Sequence, residues 1–149
     1  IVEEAIRHLP VRIVRNSDYE TGQSTSLKTG VRGASPNCEC FVFFLGDQPL
    51  VGPEIVTHML RRYRQDHPLI VTPTCNGKKG NPVLVNAKLR QELTALTGDT
   101  GARAIFQKHS DQTVTVEVGD PAIRMDVDQE QDYEACLKIF QIQSAPPSP

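Results

Sequence analysis

The chain has 149 residues and 38% apolar content, enough for one domain with a single core. A formal charge of -2, from 16 basic and 18 acidic side chains, leaves no electrostatic footprint for a nucleic-acid partner. No apolar run approaches the roughly 20 residues needed to cross a bilayer, so a cytoplasmic protein without a membrane partner is expected.

In chain order, IVEEAIRHL places Ile1, Ala5 and Leu9 at helical spacing and leads straight into the strand-like Val11 to Val14. No start is visible, and the chain reads as entered part-way through a domain that occupies residues 1–142. The β-rich runs Phe41 to Leu45, Leu69 to Thr72, Pro82 to Val85 and Thr113 to Val118 are further expected strands. FVFFL, apolar throughout, reads as a central strand covered on both faces. Thr113 to Val118 alternates, with Val114, Val116 and Val118 on one face, as an edge or antiparallel strand does.

Helical patterns lie between the strands. Pro53 suits a first helical position, Glu54 the positive end of the dipole, and Ile55, Met59, Leu60 and Tyr63 form one apolar face up to about Arg64. Asn86 can cap a helix carrying Leu89, Leu93 and Leu96, ended by Gly98. Asp99 can cap another holding Ala102, Ile105 and Phe106. A last helix carries Tyr133, Cys136, Leu137 and Phe140, and residues 143–149, QSAPPSP, read as a disordered tail. Strands alternating with helices imply an α/β sandwich with a mostly parallel sheet.

The four cysteines and four histidines are scattered. They lack paired zinc spacings and read as ordinary thiols and surface or packing imidazoles.

Leu45-Gly46-Asp47-Gln48-Pro49 directly follows the expected central strand. Ligands of open α/β sheets bind outside the carboxyl ends of strands, which suits Asp47 for a metal, though the same residues also make an ordinary turn. Gly46 would let the backbone turn or meet a ligand closely. Met125 to Asp128 resembles a short strand emptying into the last helix. Asp128 there either joins Asp47 on one Mg²⁺, held against a triphosphate, or forms a capping box with Gln131. Gly22-Gln23-Ser24-Thr25-Ser26 either opens a helix whose amides meet an anion or sugar, or is a plain N-cap. NGKKGNP, Asn76 to Pro82, looks like a hairpin loop with solvated Lys78 and Lys79.

Asn16 to Gly30, Phe43 to Val51, Val71 to Leu84, Leu96 to Arg103 and Met125 to Tyr133, in this order, resemble the MobA-like nucleotidyltransferases, and among them the molybdenum cofactor cytidylyltransferases. The resemblance implies a Rossmann-like three-layer sandwich that uses Mg²⁺ to move CMP from CTP to the phosphate of molybdopterin, releasing pyrophosphate. It implies that Asp47 and Asp128 hold the metal. Gly22, Gln23 and Ser24 would lie near the nucleoside, Gly46 at the metal loop, and Gly80, Asn81 and Asp99 on the acceptor side. The Gly-Gln-Ser-Thr-Ser and Leu-Gly-Asp-Gln-Pro segments look more like the cytidylyltransferase than the GTP-using branch. Partners implied are CTP or GTP, molybdopterin, and a molybdoenzyme or its chaperone.

The resemblance departs at Asn81, where the family often has His, and at Gln129-Glu130, where it often has Thr-Pro. The family's glycine-rich triphosphate loop is expected ahead of Ile1, and the polypeptide without it is expected to turn over little. Two rivals stand beside this. Asp126-Val127-Asp128 echoes the D-x-D of aspartate-nucleophile phosphatases, but Glu130 stands where Thr or Val belongs. A non-catalytic nucleotide- or pterin-binding module assisting molybdoenzyme maturation is the other.

Overall fold

The run Ile70–Cys75 (β2) is buried at every position in the computed structural model, which describes residues 2–98 and 102–144. Val83–Asn86 (β4), also buried throughout, lies antiparallel to it, with Ile70 opposite Val85 and Val71 opposite Leu84. Cys40–Phe43 (β1) pairs antiparallel with β4 from the other side. Thr113–Glu117 (β5) runs parallel to β2 from Ile70↔Thr113 to Thr74↔Glu117, and Lys78–Lys79 (β3) folds back on the end of β2.

Two antiparallel steps through β4 set β1 in the same direction as β2 and β5, so the sheet is parallel in these strands with β4 reversed between two of them. Connection length explains the reversal. Residues 76–82 between β2 and β4 are too few for a crossover, which needs a dozen or more, whereas residues 87–112 before β5 suffice.

The molecule divides into two compact units, Cys40–Asn86 with His109–Pro149, which holds the sheet, and Ile1–Glu39 with Ala87–Lys108, which is helical. In the sheet unit, Pro53–Asp66 (α3) begins at Pro53 as expected and ends where His67 turns left-handed, at φ 48°. Its apolar face packs Ile55, Met59 and Tyr63 with Val71, Cys75, Leu84 and Ile123. Each such fully buried side chain contributes about 1.5–3 kcal/mol. Glu130–Ser144 (α6) buries Cys136 against Leu50 and Ala122. Val116 and Val118 lean on the α3 core, as the alternation of β5 requires.

In the helical unit are Val2–Ile6 (α1), Gln23–Gly33 (α2), Arg90–Ala95 (α4) and Arg103–Lys108 (α5). α2 packs on α4, burying Val31 and Leu93. Arg90 ties them, Nη1 donating to Val31 O at 2.9 Å and Nη2 to Ser35 O at 2.7 Å.

Four expectations need correction. Val11 to Val14 forms no strand. Val14 instead crowds Gly33, where an added Cβ would meet Cγ2 at 2.8 Å, and Arg12 donates to Gly33 O, so apolar alternation here marks a segment laid against a helix. FVFFL is not covered throughout. β1 stops at Phe43, ends the described strand order, and leaves Phe44 and Leu45 54% and 48% exposed, because composition marks a strand without naming its neighbours. Met125 to Asp128 is no strand, since it follows the 3₁₀ turn Pro121–Arg124 without forming a ladder. The expected tail begins too early, as α6 continues to Ser144; its remainder, 145–149, lies outside the described residues. Among the described residues no helix is long and apolar enough to cross a membrane.

Candidate functional site

β1 delivers Asp47 to the carboxyl end of the sheet through a tight loop in which Gln48 N donates to Leu45 O at 3.4 Å. Asp47 is exposed, and its carboxylate accepts no hydrogen bond from the described residues. Gly46 is open as well, with no heavy atom within 4 Å of where a Cβ would stand. Gln48 turns the other way and is buried.

The segment carrying Asp128 reaches this loop from 78 residues away. Asp120 Oδ1 accepts from Ala122 N at 2.9 Å and starts the 3₁₀ turn, after which Met125 extends, at φ -99° and ψ 93°. Val127 N then donates to Asp47 O at 2.8 Å, and Gln48 Nε2 donates to Asp126 Oδ1 at 2.6 Å. The loop after β1 and the 125–128 segment therefore lie side by side. The capping box expected of Asp128 is made by a different residue. Asp132 Oδ2 accepts from Asp128 N at 3.2 Å and Gln129 N at 2.9 Å, a reach-back cap on α6. The Asp128 carboxylate is exposed and takes no bond from the described residues.

Among the described residues no group of three or more His, Cys, Asp or Glu side chains is gathered to hold a metal. Two exposed carboxylates, Asp47 and Asp128, stand on the joined segments. Carboxylates are the hard donors that Mg²⁺ takes, one or two at a time, completing its shell with phosphate oxygens and water.

Gly80 and Asn81 support the second segment from below. An added Cβ on Gly80 would overlap Ile123 O and stand 2.7 Å from Ile123 Cγ1. Asn81 N donates to that same carbonyl at 2.8 Å, ahead of a cis Asn81–Pro82 bond. Local packing accounts for Gly80. Lys78 and Lys79 are exposed on β3.

In the helical unit, Gly22 adopts φ 114° and ψ 162°, a backbone region open almost only to glycine, and stands as the N-cap of α2 with no side-chain cap bond. The plain N-cap, one of the two alternatives for this segment, is thus present at Gly22. Thr25 Oγ1 turns back to Gly22 O at 2.8 Å and Asp18 O at 3.0 Å, and Asn16 Nδ2 donates to Thr25 Oγ1 and Ser26 Oγ, both at 2.9 Å. This braced turn borders a cleft of about 720 Å³ lined by Tyr19, Glu20, Gly22, Gln23, Ser26 and Gly98, among others. Ser24, expected beside Gly22 and Gln23, is 1% exposed, and its buried Oγ has no hydrogen-bond partner. Asp99 lies outside the described residues.

The sequence did not single out Gln48, Asp126 as a bonded group, or Asp132. Gln48 sits next to Asp47 in the chain, but its bond to residue 126 has no local signal.

Residues 2–114 match the profile of the MobA-like NTP transferase domain. Among solved structures, the chain is similar to a Mycobacterium tuberculosis rv0371c homologue from Mycobacterium sp. strain JC1, at 26% identity and a TM-score of 0.66, covering 80% of this chain and 59% of that one. It is similar to Rv0371c of M. tuberculosis H37Rv in complex with manganese, at 27% identity and a TM-score of 0.61, covering 76% and 59%. A nucleotidyl transferase from Methanothermobacter thermautotroptrophicus shares the fold, at 24% identity and a TM-score of 0.74, covering 96% and 69%. The chain thus spans 59% of the length of the two mycobacterial structures. No curated protein is a significant match. The α/β, Rossmann-like class expected from the sequence stands.

Proposed function

Because the chain belongs to the MobA-like NTP transferase domain family, we propose that it serves a Mg²⁺-dependent transfer of CMP from CTP to the terminal phosphate of molybdopterin, releasing pyrophosphate. The observation that carries this reading is the bond from Val127 N to Asp47 O at 2.8 Å, which brings together two segments whose Asp47 and Asp128 carboxylates are left unspent. That Rv0371c, to which the chain is similar, has a structure in complex with manganese supports the use of a divalent ion.

In this reading Asp47 and Asp128 hold the ion, and Gly46 leaves a side open for phosphate oxygens. When bound, the ion supplies positive charge against the β- and γ-phosphates and so eases departure of pyrophosphate. An oxygen of the acceptor phosphate forms the new bond to the α-phosphorus. The α–β bridging P–O bond breaks, and its electron pair leaves on pyrophosphate. The acceptor arrives already anionic, so the chain need not remove a proton, and holding and orienting groups supply the rate. The amide end of α2, with Gly22 and Gln23 on the cleft, is assigned to the nucleoside. Choice of cytosine rests on the Gly-Gln-Ser-Thr-Ser and Leu-Gly-Asp-Gln-Pro segments. Molybdopterin and a molybdoenzyme or chaperone partner rest on the same resemblance.

Exchange of labelled pyrophosphate into CTP by the intact protein, with molybdopterin present to carry the CMP between the forward and reverse steps, tests the reading. Exchange is expected with Mg²⁺, faster with CTP than with GTP, and sharply reduced in Asp47→Ala. A protein that binds CTP yet exchanges none in any form would be a nucleotide-holding module instead.

A further inference from the structure

We infer that Gln48 is a positioning residue that clasps the two carboxylate-bearing segments together through Asp126, an inference that rests on the two-carboxylate reading above. Gln48 is only 6% exposed although it follows exposed Asp47. Its Nε2 donates to Asp126 Oδ1 at 2.6 Å, joining positions 78 residues apart. The carboxylate fixes which way the amide points, because the flipped amide would set Oε1 against an Asp126 oxygen, acceptor against acceptor.

The other end of the amide shows why the bond matters. Gln48 Oε1 is buried without a hydrogen-bond partner among the described residues. An unpaired buried acceptor is costly, and Leu or Met of similar length would fill the same space without that cost. What the amide adds is a charge-assisted bond to Asp126, the stronger kind of hydrogen bond.

A second bond lies beside it, from Val127 N to Asp47 O at 2.8 Å. One hydrogen bond leaves two loops free to pivot, whereas the pairs 48·126 and 47·127 fix their relative orientation. The side chains of Asp47 and Asp128 stay out of the clasp, and Asp126 spends an oxygen on it. Asp126 is accordingly assigned to holding the loop, and Asp47 and Asp128 to the ion.

Binding of Mn²⁺ to the full chain, followed by water-proton relaxation with and without CTP, tests this separately from turnover. Gln48→Leu is expected to weaken Mn²⁺ binding roughly 10- to 100-fold, the usual penalty for losing a partner that orients a ligand, with melting temperature near wild type. Exchanging donor and acceptor in the double variant Gln48→Glu, Asp126→Asn rebuilds the bond and should return the affinity toward wild type. Unchanged Mn²⁺ affinity in Gln48→Leu overturns the clasp. So does a loss in Asp126→Asn as large as that in Asp47→Asn, because the asparagine still accepts from Gln48 and such a loss would make Asp126 a ligand.

Should Gln48→Leu fail to fold, the exchanged pair decides. Wild-type affinity supports the clasp, and a folded protein with weak binding overturns it. If Asp47→Asn binds Mn²⁺ as wild type does, the two-carboxylate reading itself falls, and the clasp with it. That outcome is distinct from one in which Asp47→Asn loses the ion and Gln48→Leu keeps it.

Discussion

Asp47 and Glu117 stand at the carboxyl ends of strands that run in the same direction, β1 and β5, yet their oxygens meet opposite fates. Glu117 accepts from Thr74 Oγ1 at 2.8 Å, from Asn76 N at 3.0 Å and from Gly77 N at 3.4 Å. It thereby clamps the tight Asn76-Gly77 turn, where both residues have positive φ, 52° and 72°. The Asp47 carboxylate accepts nothing from the described residues. Position at a strand end nominates both carboxylates for ligand work. What separates them is whether the fold has already used their lone pairs.

The largest test of that distinction is Asp47→Ala. Its turnover in pyrophosphate exchange should fall on the order of 10²–10³-fold, the scale of losing one group that stabilises transition-state charge. Its unfolding free energy should stay within about 0.5 kcal/mol of wild type, since an exposed side chain without partners holds nothing together. A variant that is clearly less stable than wild type yet keeps its activity would reverse the assignment.

Next comes Gly80→Ala, for which denaturant unfolding should show a loss of about 1–3 kcal/mol from overpacking against Ile123. Because Asn81 N holds the same Ile123 carbonyl, metal affinity should fall too, through displacement of the 125–128 segment. Gly46→Ala is smaller and opposite in kind. With nothing within 4 Å of the new methyl, stability should hold within about 0.5 kcal/mol. A drop in CTP affinity by titration calorimetry is expected if phosphates approach from that side, and unchanged affinity would make Gly46 a turn residue only.

These contrasts also show where sequence reasoning stops. Elements set by local chemistry were legible. Pro53 opened α3, Asn76-Gly77 made the hairpin, and the Val114-Val116-Val118 alternation made β5. The places of Asp47 and Asp128, after β1 and before α6, were legible too. Non-local facts were not. Val11 to Val14 carries strand composition but lies against Gly33, and FVFFL does not reveal that its last two residues meet solvent. The α6 cap went to Asp132 because the helix begins at Glu130, one residue later than a capping box from Asp128 to Gln131 requires. Gln48 was invisible because its partner is 78 residues away.

The smallest predicted effect concerns Glu117→Gln and shows itself through pH. The Thr74 hydroxyl, the largest influence, and the amides of Asn76, Gly77 and Gly119 together hold the Glu117 carboxyl below its ordinary value against desolvation, which is second in size to Thr74 alone. A carboxyl depressed in the folded state stabilises the fold fully above its unfolded pKa, and that contribution is lost as pH falls through the folded value. Gln cannot ionise, and it offers only one acceptor to donors that now share two oxygens. The variant should therefore melt below wild type at neutral pH, and the gap should close as pH falls through the acidic range. Asp66, lowered by its bond to Arg62, lends the same sign of dependence to both proteins, so only the difference between their melting curves belongs to Glu117. A gap that stays constant from neutral to acidic pH would mean that the turn is held by Asn76-Gly77 geometry and not by the charge.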